Sequence, residues 1–193
     1  MNTNKNLTIQ ETFDLAVQNH QEGKLDVAKK LYNQVLKIDP NYLGALNNLG
    51  VLFKQLAEYQ KAKDCYEKVI EIDPNNADAR YNLGNAFKEL KDFDKAKECY
   101  EKAIQIKPDY VEAYSNLGTI FKDLAAYQKA TDSFEKAIEI KPDYVEAHYN
   151  LGLVFKELGE NQKAIISLEK TIELNPNFAE AHFNLGNIFL ELG

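Results

Sequence analysis

Five asparagines recur at intervals of 34 residues, and their side-chain amides are the groups in this sequence best suited to binding chemistry. They are Asn48, Asn82, Asn116, Asn150 and Asn184. A carboxamide both donates and accepts hydrogen bonds, so it can pair with the N–H and C=O of another chain's backbone whatever side chains that chain carries. Because asparagine is a mediocre residue for a helix interior, its recurrence indicates either a binding role or inheritance through repeat duplication.

Two other pairs of reactive side chains share the same interval, namely His148 with His182 and Cys65 with Cys99. The histidines could be imagined as a metal pair, but packing in a helix groove explains them more simply. Cysteines one repeat apart lie about 10 Å from each other, beyond the roughly 7 Å that a disulfide spans between Cα atoms. No phosphate-binding glycine loop, zinc spacing or nucleophile motif occurs. The sequence therefore predicts no catalytic residue, no metal, no cofactor and no enzymatic activity.

The overall charge narrows the classes of partner. Lysine and arginine number 23 and aspartate and glutamate 30, which gives a net charge of −7. An acidic chain is a poor match for a phosphate backbone or an anionic membrane, so we expect neither nucleic acid nor membrane as a partner. No apolar run approaches the roughly 20 residues of a membrane span, and the N-terminus has no apolar signal-peptide core. With only two cysteines, a cytoplasmic location is expected.

The five prolines reveal the organisation that positions these residues. Pro40, Pro74, Pro108, Pro142 and Pro176 are each 34 residues apart. A fixed period of this size is typical of a stacked repeat array. If each proline is position 32 of its unit, residues 1–8 form an N-terminal lead-in and residues 9–193 a single array. Its units are 9–42, 43–76, 77–110, 111–144, 145–178 and the partial unit 179–193.

The pattern of apolar residues in each unit predicts two amphipathic helices. In unit 77–110, Leu83, Gly84 and Phe87 occupy positions 7, 8 and 11, which share one helical face. Ala96 and Tyr100, at positions 20 and 24, share a face of the second helix. The small residues allow close approach of helices, and the aromatic rings fill the space beside them. Each unit is therefore predicted to be a helix-turn-helix.

Helix caps are predicted from the residues that follow the prolines. Asp109 with Glu112, and Asp143 with Glu146, are spaced as N-cap and N3 residues of a capping box. Thr8 and Glu11 have the same spacing at the start of the array.

This pattern is similar to the tetratricopeptide repeat, and the resemblance covers residues 9–193. It implies an all-α fold, an α-solenoid forming a right-handed superhelix of 34-residue helix-turn-helix repeats, whose first helices line a concave channel. The first unit departs from the pattern, with Ala16 and Asn19 at positions 8 and 11. An atypical terminal repeat is usual in such arrays.

The resemblance also implies that positions 2, 6, 9 and 13 of each first helix face the channel. The asparagines at position 6 then resemble the asparagine ladder of O-linked N-acetylglucosamine transferase repeats, which grip peptide backbones. The predicted peptide-binding residues are Asn48, Asn82, Asn116, Asn150 and Asn184, with Glu112 and Glu146 at position 2 and Asn85 at position 9. As alternatives, the asparagines are repeat inheritance or bond to neighbouring helices, and the acids serve helix capping and the helix dipole.

The predicted function is a non-enzymatic protein–protein interaction scaffold that binds an extended peptide segment, with a preference for basic peptides. One alternative is the substrate-recruiting portion of a larger, glycosyltransferase-like enzyme. Another is self-association through the C-terminal helix, where no second helix of the same unit covers Leu185, Ile188, Phe189 and Leu192.

Overall fold

The structure is a computed structural model that describes residues 7–193, so residues 1–6 of the predicted lead-in lie outside the described residues. Between residues 7 and 193 the chain forms eleven α-helices and no strand, which confirms the all-α prediction. The helices are α1 (Ile9–Gln21), α2 (Leu25–Ile38), α3 (Leu43–Gln55), α4 (Tyr59–Ile72), α5 (Ala77–Glu89), α6 (Phe93–Ile106), α7 (Val111–Asp123), α8 (Tyr127–Ile140), α9 (Val145–Glu157), α10 (Asn161–Leu174) and α11 (Ala179–Leu192).

The helix boundaries follow the 34-residue period. Each odd-numbered helix begins at position 1 of its unit, and each even-numbered helix ends two residues before the repeated proline. Proline lacks a backbone N–H and disfavours helical geometry in the residue before it, so the second helix cannot continue through it. In each complete unit, a first helix of 13 residues is thus followed by a second of 14.

A left-handed residue at position 15 joins the two helices of each complete unit. These residues are Gly23, Ala57, Lys91, Ala125 and Gly159, with φ between 55° and 73°. In the second unit, the Ala57 N–H donates to Lys54 O at 3.0 Å and the Glu58 N–H donates to Phe53 O at 2.8 Å. This pair of bonds is the Schellman arrangement, which satisfies the last carbonyls of the first helix and ends it.

The core of each unit is built from the small and large positions that the sequence pairs. The alanines at position 20 and the large residues at position 24 are fully buried in the five complete units. A Cβ added to Gly84 would lie 2.6 Å from Cε1 of Tyr100, so only glycine leaves room for this ring. At Gly186 a Cβ would meet no atom of the described residues within 4 Å.

The capping prediction is right at one end of the array and wrong inside it. Thr8 and Glu11 form both bonds of the capping box before α1. The N-caps of α7 and α9 are instead Tyr110 and Tyr144, whose side chains make no cap hydrogen bond. Asp109 and Asp143 stand one residue earlier, in the turn that follows the proline, and this places their carboxylates out of the capping position.

The contacts divide the chain into two compact units, Met1–Lys102 and Ala103–Gly193. In the first, Tyr32, Leu52 and Tyr66 are among the fully buried side chains. In the second, Phe134, Leu168 and Ile188 lie in one hydrophobic cluster. The prediction that residues 9–193 form one continuous array stays a prediction.

Candidate peptide-binding site

The asparagines of position 6 all occupy equivalent places on first helices. Asn48 and Asn82 belong to α3 and α5, and Asn116, Asn150 and Asn184 to α7, α9 and α11. Each is half-buried, because position 6 lies beside the apolar residue at position 7, which packs toward the core. We call the face of each first helix that carries positions 2, 6, 9 and 13 its ladder face.

Hydrogen bonds within the protein define the orientation of the amides of Asn150 and Asn184. Asn150 donates from Nδ2 to the Glu146 carbonyl at 2.8 Å, and its Oδ1 accepts a hydrogen bond from Lys122 Nζ at 3.0 Å. Asn184 donates from Nδ2 to the Glu180 carbonyl at 2.8 Å. A side-chain bond to the carbonyl four residues earlier orients the nitrogen toward the helix.

The amide of Asn184 also reaches the neighbouring first helix, since its Nδ2 donates to the Tyr149 hydroxyl at 3.2 Å. Among residues 7–193 no donor reaches Asn184 Oδ1, so this oxygen can accept a hydrogen bond from a bound chain. Desolvation and the nearby Glu180 carboxylate raise the pKa of Tyr149, and the hydrogen bond from Asn184 lowers it. The bonds of Asn150 and Asn184 to neighbouring helices are of the kind that the alternative interpretation of these residues expected.

Asn85, the candidate at position 9, is half-buried against the second helix of its own unit. Its Oδ1 accepts a hydrogen bond of 2.7 Å from the Tyr100 hydroxyl. The bond explains the polar residue at this position, because Tyr100 is fully buried and its hydroxyl requires a partner. In the preceding unit, Val51 stands at position 9, and the buried Tyr66 hydroxyl has no partner among residues 7–193.

Asn48 takes part in a polar chain at the start of the array. It hydrogen bonds to the hydroxyl of the buried Tyr32. His20 contacts the same hydroxyl through Nδ1 at 3.3 Å, and its Nε2 lies 3.0 Å from Gln55 Oε1. Burial raises the pKa of Tyr32 to about 12, against the opposing effect of the Asn48 bond. An open cavity of about 360 Å³ borders these groups.

The two candidate carboxylates at position 2, Glu112 and Glu146, are exposed. Neither forms an ion pair within residues 7–193, and neither belongs to a capping box, because the N-caps before them are tyrosines. Both lie in the first turn of a helix, where the dipole favours a negative charge. They are therefore negative charges that a cationic ligand can reach.

Position 4 has a structural role that the sequence did not reveal. His148 Nε2 lies 2.9 Å from the Pro142 carbonyl, and His182 Nε2 lies 2.9 Å from the Pro176 carbonyl. Arg80 bonds the Pro74 carbonyl in the same way through Nε and Nη2, at 3.1 and 2.8 Å. The only available signal was a nitrogen-bearing side chain six residues after a proline. In the described part of the chain, no group of three or more histidine, cysteine or acidic residues is placed to hold a metal ion.

Known family models match most of the chain. Models of the tetratricopeptide repeat match residues 15–42, 44–76 and 77–110, and a TPR repeat model matches 120–159 and 154–193. The chain is a tetratricopeptide repeat protein. No curated protein sequence matches it at a significant level. Its tetratricopeptide repeats form an all-α solenoid, as the resemblance in the sequence implied.

Solved structures share this fold. A crystal structure of MamA is 28% identical with a TM-score of 0.79, and the alignment covers 86% of this chain and 96% of that chain. YrrB, described as a TPR protein with an unusual peptide-binding site, is 22% identical with a TM-score of 0.75, and the alignment covers 92% of this chain and 91% of YrrB. A thermophilic TPR protein of Thermus thermophilus is 21% identical with a TM-score of 0.71, and the alignment covers 95% of this chain and 100% of that protein. The last two comparisons bear on the fold alone.

Across residues 7–193, none of the helices combines the length and the apolar character needed to traverse a lipid bilayer.

Proposed function

We propose that this tetratricopeptide repeat protein is a non-enzymatic scaffold that binds an extended protein segment through the amides of position 6. The observation that carries the proposal is the placement of Asn184. Its Nδ2 is fixed by two bonds within the protein, while its Oδ1 has no donor among residues 7–193. An amide held in this way presents an acceptor to the backbone N–H of a ligand, independent of the ligand's side chains.

The spacing of the first helices supports a backbone ligand. Neighbouring packed helices lie on the order of 10 Å apart, and an extended strand rises about 3.3 Å per residue. One asparagine per unit would therefore meet about every third residue of a bound strand. Such bonds contribute about 0.5–1.5 kcal/mol each, so even five of them supply at most about 7.5 kcal/mol, which corresponds to a Kd of a few μM before the cost of ordering the peptide is subtracted.

Selection from a random peptide library tests the proposal directly. The parent protein is compared with a variant in which Asn82, Asn116 and Asn150 are changed to alanine. Asn33→Ala is the matched control, because Asn33 makes the same bond to a carbonyl four residues earlier, Nδ2 to Lys29 O at 2.8 Å, but lies exposed on a second helix. We expect peptides captured by the parent and the control to be lost by the triple variant. Equal capture by all three proteins would overturn the ladder.

A preference for basic peptides follows from the exposed carboxylates of Glu112 and Glu146. Lysine and arginine at intervals of about three residues should be enriched among the captured peptides, and the enrichment should weaken with rising salt. Changing both glutamates to glutamine should reduce the enrichment without abolishing capture. Unchanged enrichment in this variant would show that the two glutamates act only through their favourable interaction with the helix dipole.

Self-association through α11 is a second candidate. Phe189 and Leu192 are 51% and 57% exposed on this helix, and Gly186 faces open space, whereas Ile188 is buried. A second copy that covered this apolar face would raise the sedimentation coefficient at high protein concentration. Phe189→Ser should then restore the monomer, and a parent protein that sediments as a monomer throughout excludes this candidate. The glycosyltransferase-like alternative uses the same ladder for recruitment, so the library selection tests its binding step as well.

A further inference from the structure

The hydrogen bond between Asn184 and Tyr149 has a direction that the chemistry of the groups decides. One atom of the Asn184 carboxamide lies 2.8 Å from the Glu180 carbonyl oxygen, which can only accept, so this atom is Nδ2 and not Oδ1. The same nitrogen lies 3.2 Å from the Tyr149 hydroxyl oxygen. Because an amide nitrogen only donates, the Tyr149 oxygen is the acceptor in this bond.

The Tyr149 hydroxyl therefore keeps its own hydrogen for another acceptor. A phenol both donates and accepts, and the bond from Asn184 uses only its accepting side. Among residues 7–193 no group accepts this hydrogen. Tyr149 stands at position 5, three residues after position 2 and four before position 9, so it borders the ladder face of α9. Both side chains are half-buried, which leaves them open to a ligand on this face.

The acceptor beside this hydroxyl is open because of an ion pair. In the preceding unit, Lys122 Nζ donates to Asn150 Oδ1 at 3.0 Å. Lys156 is the corresponding lysine of α9, but its ammonium pairs with the Glu191 carboxylate at 3.7 Å. Asn184 Oδ1 is consequently left without a donor in the described part of the chain.

Packing holds the Tyr149 ring in place. Its centroid lies 4.8 Å from that of the Phe178 ring, at an interplanar angle of 37°. A side chain that is already ordered loses little freedom when a ligand binds. At the same position of α7 stands Ser115, which is buried and is not a hydrogen-bond partner of Asn150. The combination of an open donor and an open acceptor is thus present at α9 and α11 and missing at α7 and α9.

We propose that the Tyr149 hydroxyl and Asn184 Oδ1 together bind one extended residue of the ligand, the hydroxyl donating to its C=O and Oδ1 accepting from its N–H. The proposal rests on the proposed peptide-binding function and adds Tyr149 as a binding residue. Both backbone groups of an extended residue point to the same side, and in an antiparallel ladder they bond a single residue opposite. Proline has no N–H, so it is excluded from this place in the ligand.

The two side chains can be removed one at a time. In Tyr149→Phe the ring can keep its contact with Phe178, and Asn184 Nδ2 keeps its bond to the Glu180 carbonyl. The acceptor Oδ1 therefore stays oriented, while the donor to the ligand C=O is lost. Asn184→Ala removes the acceptor and leaves the phenol. The matched control is Tyr127→Phe, since Tyr127 is also half-buried but begins the second helix α8, and its hydroxyl forms no hydrogen bond within residues 7–193.

The test uses a nonapeptide of serine and threonine with one central lysine, and two series of modified copies. One series carries a single N-methyl group, which removes one N–H. The other carries a single thioamide, whose sulfur accepts hydrogen bonds more weakly than oxygen does. Kd is measured by fluorescence anisotropy for each copy.

At one residue of the peptide, we expect both modifications to weaken binding to the parent, each by about threefold to tenfold. Asn184→Ala should lose the N-methyl effect at this residue, and Tyr149→Phe should lose the thioamide effect there but keep the N-methyl effect. Tyr127→Phe should retain both effects.

The outcomes separate this proposal from the function on which it rests. If Tyr149→Phe weakens every copy by the same factor and keeps the thioamide effect, Tyr149 only orients Asn184, so the pair is wrong while the ladder stands. An Asn184→Ala variant that keeps every N-methyl effect also overturns the pair. If the parent binds no copy at concentrations up to about 1 mM, or if N-methylation weakens binding at no residue, both proposals fail.

Discussion

The ammonium of Lys122 donates a 3.0 Å hydrogen bond to Oδ1 of Asn150, a residue 28 positions later on the next first helix. In the free protein this asparagine is therefore satisfied on both sides, since its Nδ2 already donates to the Glu146 carbonyl. Asn184 differs, because its Oδ1 has no donor within residues 7–193. The position-6 amides thus differ in their hydrogen bonds in the free protein. A ligand must displace Lys122 before it can bond to Asn150 Oδ1.

Lys122→Met should tighten the binding of peptides recovered by the library selection. Removing the ammonium frees Asn150 Oδ1 for a backbone N–H, which corresponds to about threefold to tenfold in Kd. Lys156→Met is the matched control, because Lys156 pairs with Glu191 at 3.7 Å instead of an asparagine. Isothermal titration of both variants checks the prediction. Weaker binding by Lys122→Met would mean that the lysine itself contacts the peptide.

The helical framework could be predicted from the sequence because its cause is local and repeated. The prolines fix where each second helix ends, and Leu83, Gly84 and Phe87 define the buried face of a first helix. The caps at Asp109 and Asp143 failed because the pattern does not show that the turn after the proline is one residue longer than assumed.

The sequence alone could not predict which residues the candidate site residues contact. The bonds of Asn85 to Tyr100 and of Asn150 to Lys122 join residues 15 and 28 positions apart, and only the packing of helices brings them together. A lysine at position 19 likewise lies over the phenylalanine at position 11 in four units, 5.2–5.7 Å from the ring centroid. Both residues recur with the period, but their contact depends on the turn between the helices.

Tyr100→Phe and Tyr66→Phe should have opposite effects on stability, although both tyrosines are fully buried at position 24. Loss of the Tyr100 hydroxyl removes its bond to Asn85 and should cost about 1 kcal/mol. Loss of the Tyr66 hydroxyl removes a buried group without a partner in the described residues, so the free energy of unfolding should rise by up to about 1 kcal/mol. Urea denaturation followed by circular dichroism measures both, and equal losses would contradict the assignment.

Glycine at position 8 should respond to alanine according to whether a ring lies against it. Gly84→Ala forces a Cβ to within 2.6 Å of the Tyr100 ring, and we expect a net loss of about 1–3 kcal/mol from overpacking. Gly186→Ala meets no atom within 4 Å, so the higher helix propensity of alanine should stabilise α11 by up to about 1 kcal/mol. Thermal and urea midpoints of the two variants test this contrast. A gain in stability at Gly84 would show that Tyr100 can move aside.

The two cysteines should be protected from alkylation and should make stability fall at high pH. Burial, with a smaller effect of neighbouring Asp64 or Glu98, raises the pKa of Cys65 and of Cys99 to about 11. Near pH 8 the folded thiols should react with iodoacetamide about a hundredfold more slowly than in urea, since the thiolate is the nucleophile.

In the unfolded chain these thiols ionise near pH 9, so their contribution to stability is complete below that pH and is lost as the pH rises toward 11. The control variant carries serine at both positions, as the next two units do at Ser133 and Ser167. We expect the urea midpoint of the parent to fall more steeply than that of the serine variant between about pH 9 and pH 11, because only the parent has thiols whose ionisation favours unfolding. Parallel curves, or alkylation in the folded state at the rate of a free thiol, would show that the two sites open to solvent.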